Sequence, residues 1–358
     1  MQKNAWWLAL LCSVLSPTAL AEHVNAGEQQ GTTTVASASV RDASQRDTLR
    51  FTVWYPAPAS SEETPLTIGP ADAPLFDVGA TAGNAPVAGG RLPTLLLSHG
   101  NGGTARMMGW LGTALARAGY LVIAVDHPGN NGAEEMTVAG SALTWLRAQD
   151  LQAALAAVQA DPRLGPHVDA QRLGVLGYSA GGYTALLAAG ARPRLQRLLD
   201  FCTAHPADGV CRPQPEAPTH TLQARQQALA SAQLQPYLVD ADQSHAIPGV
   251  RAVYLLAPAI VQAFAPEQLE ALQQPVAIVL GDEDDVAPPA TNGEVAAALI
   301  PGAALQRLPG VGHYDFLSSC TALGEQRIGP VCSSRVPRAH SHREAASGAI
   351  AFFGHALR

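Results

Sequence analysis

The chain of 358 residues is almost without lysine. Lys3 is the only one, so past the first residues every cation of fixed charge is an arginine. That excludes a Schiff-base lysine, a Ser-Lys dyad and a phosphate-loop lysine. Charge of either sign is scarce. Charged residues make up 14% against 47% hydrophobic, a balance that suits a folded protein with a sizeable core and not a disordered chain. Acids outnumber bases, 29 to 22, for a net charge of −7, and no basic patch offers itself to nucleic acid. Beyond the N-terminal stretch, no uninterrupted apolar run is long enough for a stable membrane span.

The N-terminal stretch itself reads as a secretory signal peptide over residues 1–21. Lys3 supplies the positive start, Ala5 to Leu15 the apolar core, and Ala19-Leu20-Ala21 a small-x-small cleavage site before Glu22. Cys12 does not make it a lipoprotein signal, because Leu10-Leu11 before it are not the small residues that such a signal needs. The expectation is an exported protein, periplasmic or extracellular, whose mature chain over residues 22–358 carries a charge of −8 once Lys3 is gone. Four cysteines then remain. In an oxidising compartment they form disulfides, most simply Cys202–Cys211 and Cys320–Cys332. Zinc is the alternative, but neither pair has knuckle spacing and no nearby histidine completes one. No metal is expected.

Strands and helices alternate along the mature chain. Thr32 to Val40, Thr48 to Tyr55, Thr94 to Leu97, Leu121 to Val125, Arg172 to Leu176, Val250 to Leu256, Val276 to Leu280 and Ala304 to Leu308 read as eight strands. Helices are expected over residues 105–118, with Gly119 as C-cap, and over 143–158, 181–189 and 343–355. Residues 56–92, rich in Pro, Ala and Gly, read as a long surface loop. The fold class is therefore α/β: a mostly parallel eight-stranded sheet with helices on both faces. The polar, Gln- and Pro-rich residues 192–248 break the alternation and read as a cap inserted in this single domain. Sites in such sheets lie beyond the carboxyl ends of the strands.

The motifs fall at those ends. Gly177-Tyr178-Ser179-Ala180-Gly181-Gly182 follows a strand and opens a helix, the context that makes a G-x-S-x-G string a nucleophile elbow with Ser179 at its tip. A serine hydroxyl needs a base, and the base an orienting carboxylate. On such an elbow the order is serine, acid, histidine. His313, in Gly310-Val311-Gly312-His313, follows the last strand and is the expected base; His340, His342 and His355 read as surface residues. The acid comes from Gly281-Asp282-Glu283-Asp284-Asp285, with Asp284 the first choice and Asp282 the second. Ser98-His99-Gly100-Asn101-Gly102-Gly103 follows another buried strand and supplies the oxyanion loop. The expected donors are the backbone N–H groups of Asn101 and Ala180. His99 reads as a turn-stabilising histidine and not as a base.

With these residues in place the chain resembles the α/β-hydrolase family, and more narrowly the predicted dienelactone-hydrolase group and its relatives, the platelet-activating-factor acetylhydrolases. The segments that carry this are Val53-Trp54-Tyr55-Pro56, Ser98-His99-Gly100-Asn101-Gly102, Asp126-His127-Pro128-Gly129-Asn130, the elbow itself and Gly312-His313. Dienelactone hydrolases use a cysteine nucleophile where this chain has Ser179, which favours a plain esterase. The resemblance implies the α/β-hydrolase fold and cleavage of small-molecule or lipid-like carboxylic esters through an acyl-enzyme, with no cofactor. Two other readings use the same residues: an amidase or peptidase, and a binding protein built on an inactive hydrolase fold.

Overall fold

Five segments are apolar on both sides, β5 (Leu92–Ser98), β6 (Leu121–Asp126), β7 (Val168–Tyr178), β8 (Val250–Leu256) and β9 (Val276–Gly281), and the short, mostly exposed β10 (Ala304–Leu308) follows them at the edge. Strands apolar on both sides are stable only in the middle of a sheet covered on both faces. In the computed structural model, which describes residues 24–358, they run parallel in the order β6-β5-β7-β8-β9-β10. The expected signal peptide, with Cys12 in it, lies outside the described residues. Alternate side chains point to opposite faces. Leu95, Leu97 and Leu176 join one core, with helices Gly109–Arg117 and Arg338–Ala356. Leu96, Val175 and Leu255 join the other, with helices Arg147–Ala160 and Ala180–Ala188.

The fold is the α/β-hydrolase sheet, but it has eleven strands and not eight. Seven of the expected strands are present, and in place of the one expected over Thr32–Val40 the first strand runs over Asn25–Thr34, sharing only residues 32–34 with it. β2 (Thr48–Ala57) lies antiparallel on β6, and β1 (Asn25–Thr34) antiparallel on β2. The three extra strands are β3 (Thr64–Ile68), β4 (Phe76–Gly83) and β11 (Ser319–Cys320). The first two lie inside what reads as a loop. β4 is held by parallel pairing with β1 and antiparallel pairing with β3 and β11. Its glycines, and Pro65 on edge strand β3, hide the pattern that a strand normally displays.

The strand expected over Thr32–Val40 also stops early. The chain turns after Thr34, and a helical turn at Ala38–Arg41 sends the Arg41 side chain inward to Asp150. The helix expected from Leu143 begins at Arg147, behind two short turns, and the last helix begins at Arg338. Residues 192–248 contain the helices Leu195–Ala204, Leu222–Leu229 and Gln235–Leu238. They meet the strand ends through Glu216 on Asn101 (2.8 Å), His220 on Ser141 (2.8 Å) and Arg212 on the Asp285 carbonyl (2.9 Å). Among the described residues no helix is long and apolar enough to cross a membrane.

Candidate active site

Ser179 sits between β7 and the helix Ala180–Ala188 with φ +56° and ψ −122°, a backbone state that L-residues rarely adopt. The neighbours make it possible. A Cβ on Gly181 would stand 1.9 Å from the Ser98 carbonyl oxygen, so only glycine lets the elbow lie against the end of β5. The strain is held by hydrogen bonds on both sides: Ser179 N–H donates to the Leu256 carbonyl (2.9 Å), and its own carbonyl accepts from Ala259 (3.0 Å).

His313 follows β10 on a short helical turn and lies 2.9 Å, Nε2 to Oγ, from Ser179. Its Nδ1 is 2.7 Å from Asp284 Oδ2, and Asp284 Oδ1 accepts from the Val286 and Ala287 N–H groups (3.0 and 2.7 Å). All three residues are buried. Asp282 faces elsewhere and accepts from the Gly310 N–H at 2.7 Å; Glu283 pairs with Arg335 on the surface. The His313 turn is fastened by Tyr178, whose hydroxyl donates to the His313 carbonyl (3.0 Å). Trp110 donates to the Phe316 carbonyl (3.0 Å). His342 is not the surface residue expected. It stacks on Trp110, donates from Nε2 to the Leu317 carbonyl (2.8 Å), and burial pushes its pKa down to about 4.

The loop after β5 runs over Ser179. A Cβ on Gly100 would be 3.0 Å from Ser179 Cβ. Asn101 is gripped through its side chain: Oδ1 accepts from Asn130 (2.8 Å) and Nδ2 donates to Glu216 (2.8 Å). Ala180 is the first residue of its helix, where backbone N–H groups have no partner within the helix.

Beneath this loop lies a network that reading the sequence did not find. His127 Nδ1–H donates to Asp150 (2.8 Å), and its Nε2 accepts from the Ser98 hydroxyl (2.9 Å). Burial first, then the nearby Arg147, drives the His127 pKa down to about 3, so the ring is neutral. Burial alone would raise Asp150, but the fork of Arg41 (2.7 and 2.8 Å) outweighs it and holds the carboxyl at about 2. Arg147, buried, donates to Asn130 (2.6 Å), to Thr184 behind the nucleophile (3.0 Å), to Ser98 (3.3 Å) and to the His99 carbonyl. His99 is buried as well, with Nδ1 on the Gly100 carbonyl (2.6 Å). Two segments singled out in the sequence belong to it: Ser98-His99 and Asp126–Asn130, whose His127 and Asn130 both take part.

Ser179, His313, Asn101 and Ala180 line one cavity of about 240 Å³. Its walls come from the inserted residues (Val210, Ala217, His220) and from Phe76, Ile328 and Val331. Both disulfides brace these walls. Cys202–Cys211 ties helix Leu195–Ala204 to the stretch entering the cavity, and Cys320–Cys332 ties β11 to the turn carrying Ile328 and Val331. Among the described residues no group of three or more His, Cys, Asp or Glu side chains is arranged to hold a metal.

Residues 95–323 match the alpha/beta hydrolase family. Among solved structures the chain is similar to a ferulic acid esterase from Streptomyces cinnamoneus, at 20% identity over 96% of this chain and 93% of that one, with a TM-score of 0.60. It is also similar to a puromycin-hydrolyzing peptidase of Mycobacterium tuberculosis, at 14% identity over 92% of this chain and 39% of that one, with a TM-score of 0.50. At these identities the likeness is one of fold. No curated protein matches the sequence.

Proposed function

The chain belongs to the alpha/beta hydrolase family, and from that premise we propose that it is an exported serine esterase. One observation carries the reading: Ser179 Oγ, His313 Nε2, His313 Nδ1 and Asp284 Oδ2 form a hydrogen-bonded line, 2.9 and 2.7 Å, that opens on a cavity lined mainly by apolar residues. His313 takes the Ser179 proton as Oγ attacks the ester carbonyl. The oxyanion is received by the N–H groups of Asn101 and Ala180, with the helix N-terminus adding favourable dipole. His313 then protonates the departing alkoxide, leaving an acyl-serine. Water, deprotonated by His313, attacks it, and His313 returns that proton to Ser179 Oγ as the carboxylic acid leaves and the serine is restored. Asp284 keeps the ring oriented and stabilises its cationic form.

Export follows from the expected signal peptide over residues 1–21, and two disulfides suit an oxidising compartment. Residues 192–248 are the cap that shapes the substrate cavity. The segments around Trp54, Asn101 and Asn130 favour kinship with the predicted dienelactone-hydrolase and platelet-activating-factor acetylhydrolase group, with a small-molecule or lipid-like ester as substrate and no cofactor. The test is a fluorophosphonate label followed by peptide mass spectrometry, together with Ser179→Ala. The label is expected on Ser179, and the variant is expected to lose short-chain ester hydrolysis by on the order of a millionfold. A label on another residue, or a variant that still turns over, overturns the assignment.

A further inference from the structure

The esterase reading leaves one strong group on the cavity wall unused. Arg225, on helix Leu222–Leu229, lines the same cavity as Ser179. A guanidinium carries five N–H donors. Arg225 spends one of them, Nε on the His220 carbonyl at 3.0 Å, and among the described residues no carboxylate pairs with it. Arg225 is half-buried, and the three arginines that are fully buried are all served: Arg41 by Asp150, Arg147 by four acceptors, and Arg338 by the Ser318 and Val331 carbonyls. Arg225 instead borders an apolar recess formed by Leu198, Leu222, Leu229 and Ile260. Burial pulls its pKa down from the usual arginine value, and no acid is close enough to offset that. Keeping such a cation poorly solvated and unpaired costs stability, and an incoming anion removes the cost.

Acidic side chains gather near the His313 end of the cavity, where Asp284 bonds the His313 ring and Glu216 lines the wall. Burial is the main cause that raises the Tyr178 and Tyr314 hydroxyls, but Asp284 and Glu216 add to it at both, and Asp285 at Tyr314. An anionic group on the substrate is therefore repelled from the His313 side and drawn to the Arg225 side. His220, beside Arg225, is pushed toward its neutral form by burial and by Arg225 itself, so it adds no competing charge.

We propose that Arg225 is a substrate-binding residue, and that the preferred substrates are esters carrying a free carboxylate on one arm, held by the Arg225 guanidinium while the ester carbonyl meets Ser179. A planar guanidinium fits a carboxylate with two parallel hydrogen bonds. The chemistry at the ester rests on the reading above; the recognition of the carboxylate does not.

The experiment has two arms. In the first, mono-nitrophenyl esters of dicarboxylic acids and acetate esters of hydroxycarboxylic acids are each compared with the uncharged methyl-capped counterpart, in the parent, Arg225→Gln and Arg225→Lys. The parent is expected to favour the charged member by roughly ten- to a hundredfold in kcat/KM, carried by KM. Arg225→Gln brings the ratio to about one, and Arg225→Lys keeps part of it. In the second arm, glutarate is titrated against Ser179→Ala, and against Ser179→Ala with Arg225→Gln, with Tm and circular dichroism as readouts. A glutarate-dependent rise in Tm is expected in the first and not in the second. A ratio near one in the parent, or a ratio that Arg225→Gln leaves intact, overturns the proposal while leaving the esterase standing. If no ester of either kind is hydrolysed, the esterase reading falls alone. The glutarate arm then decides on Arg225, and the absence of a Tm rise there rejects it.

Discussion

In the proposed reaction single residues do the work, and two of them can be separated from close neighbours. Asp284 reaches His313 at 2.7 Å, while Asp282 is spent on the Gly310 N–H. Asp284→Ala is expected to lower kcat by about 10⁴, as loss of an orienting acid does elsewhere, and Asp282→Ala by less than about tenfold. Equal losses measured with a chromogenic ester would mean that the loop and not the carboxylate matters. Asn101 is expected to act on the oxyanion through its N–H, since both ends of its side chain are committed to Asn130 and Glu216. Asn101→Pro removes the donor and is expected to cost about 10²–10³ in kcat. Asn101→Ala only loosens the loop and is expected to cost far less. If the two variants, both checked for folding by circular dichroism, lose the same rate, the side chain is the functional group. At this scale the sequence was readable where the backbone forces the residue type. The elbow needs glycine at Gly181, and Ser179 follows from it. It was silent where function depends on distance: nothing along the chain says that Arg147 reaches four partners or that His342 lies on Trp110.

At the level of elements, the parallel centre of the sheet was plain because β5 to β9 are apolar runs between turn signals. The flank was not. β3 is short and carries a proline, β4 is broken by glycines, both are half exposed, and β11 is only two residues long. Their strand character comes from pairing partners far away in sequence, which no local pattern records. The missed flank has a bearing on the site, since β4 carries Phe76 to the cavity wall and β11 carries Cys320, whose disulfide to Cys332 anchors the turn of Ile328 and Val331. The disulfides belong to the same story. With their cysteines 9 and 12 positions apart in sequence, each should stabilise by roughly 2–3 kcal/mol on loop-closure entropy. Neither touches the parallel core. Reduction with dithiothreitol is therefore expected to lower ester turnover before the far-ultraviolet circular dichroism changes, and the double variant Cys320→Ser/Cys332→Ser is expected to raise KM more than it lowers kcat. Loss of the whole signal in one step with activity would show that the walls and the sheet unfold together.

For the whole molecule the governing feature is a set of histidines kept neutral by burial. His127 is held down to about 3 and His342 to about 4; His99 is also pushed well below its usual value by burial and by its neighbours His127 and Arg147. The unfolded chain takes protons at these positions from about pH 6.5 downward, where the folded chain does not. Their effect on stability is therefore nil above that pH, and it destabilises progressively as pH falls from about 6.5 toward the folded values. Each contributes about 1.4 kcal/mol per pH unit in that window. Melting at pH 7.5, 6 and 5 is expected to show Tm falling by several degrees at the last step, with a smaller fall in His342→Gln. A Tm that stays level down to pH 5 would mean that these rings take up protons while folded.

Ser98, His127 and Asp150 spell the same three letters as Ser179, His313 and Asp284, in the same hydrogen-bonded sequence, but with no contact with solvent. A survey that scores only inactivity will therefore find two groups of dead variants: one that has lost its chemistry, and one whose scaffold beneath the oxyanion loop has slackened. A search for the spatial template of a triad, blind to water, will return both. What separates the twins is traffic with the outside. A small electrophile is expected to mark Ser179 and not the fully buried Ser98, so covalent capture, and not silence, is the diagnostic for the proposed site.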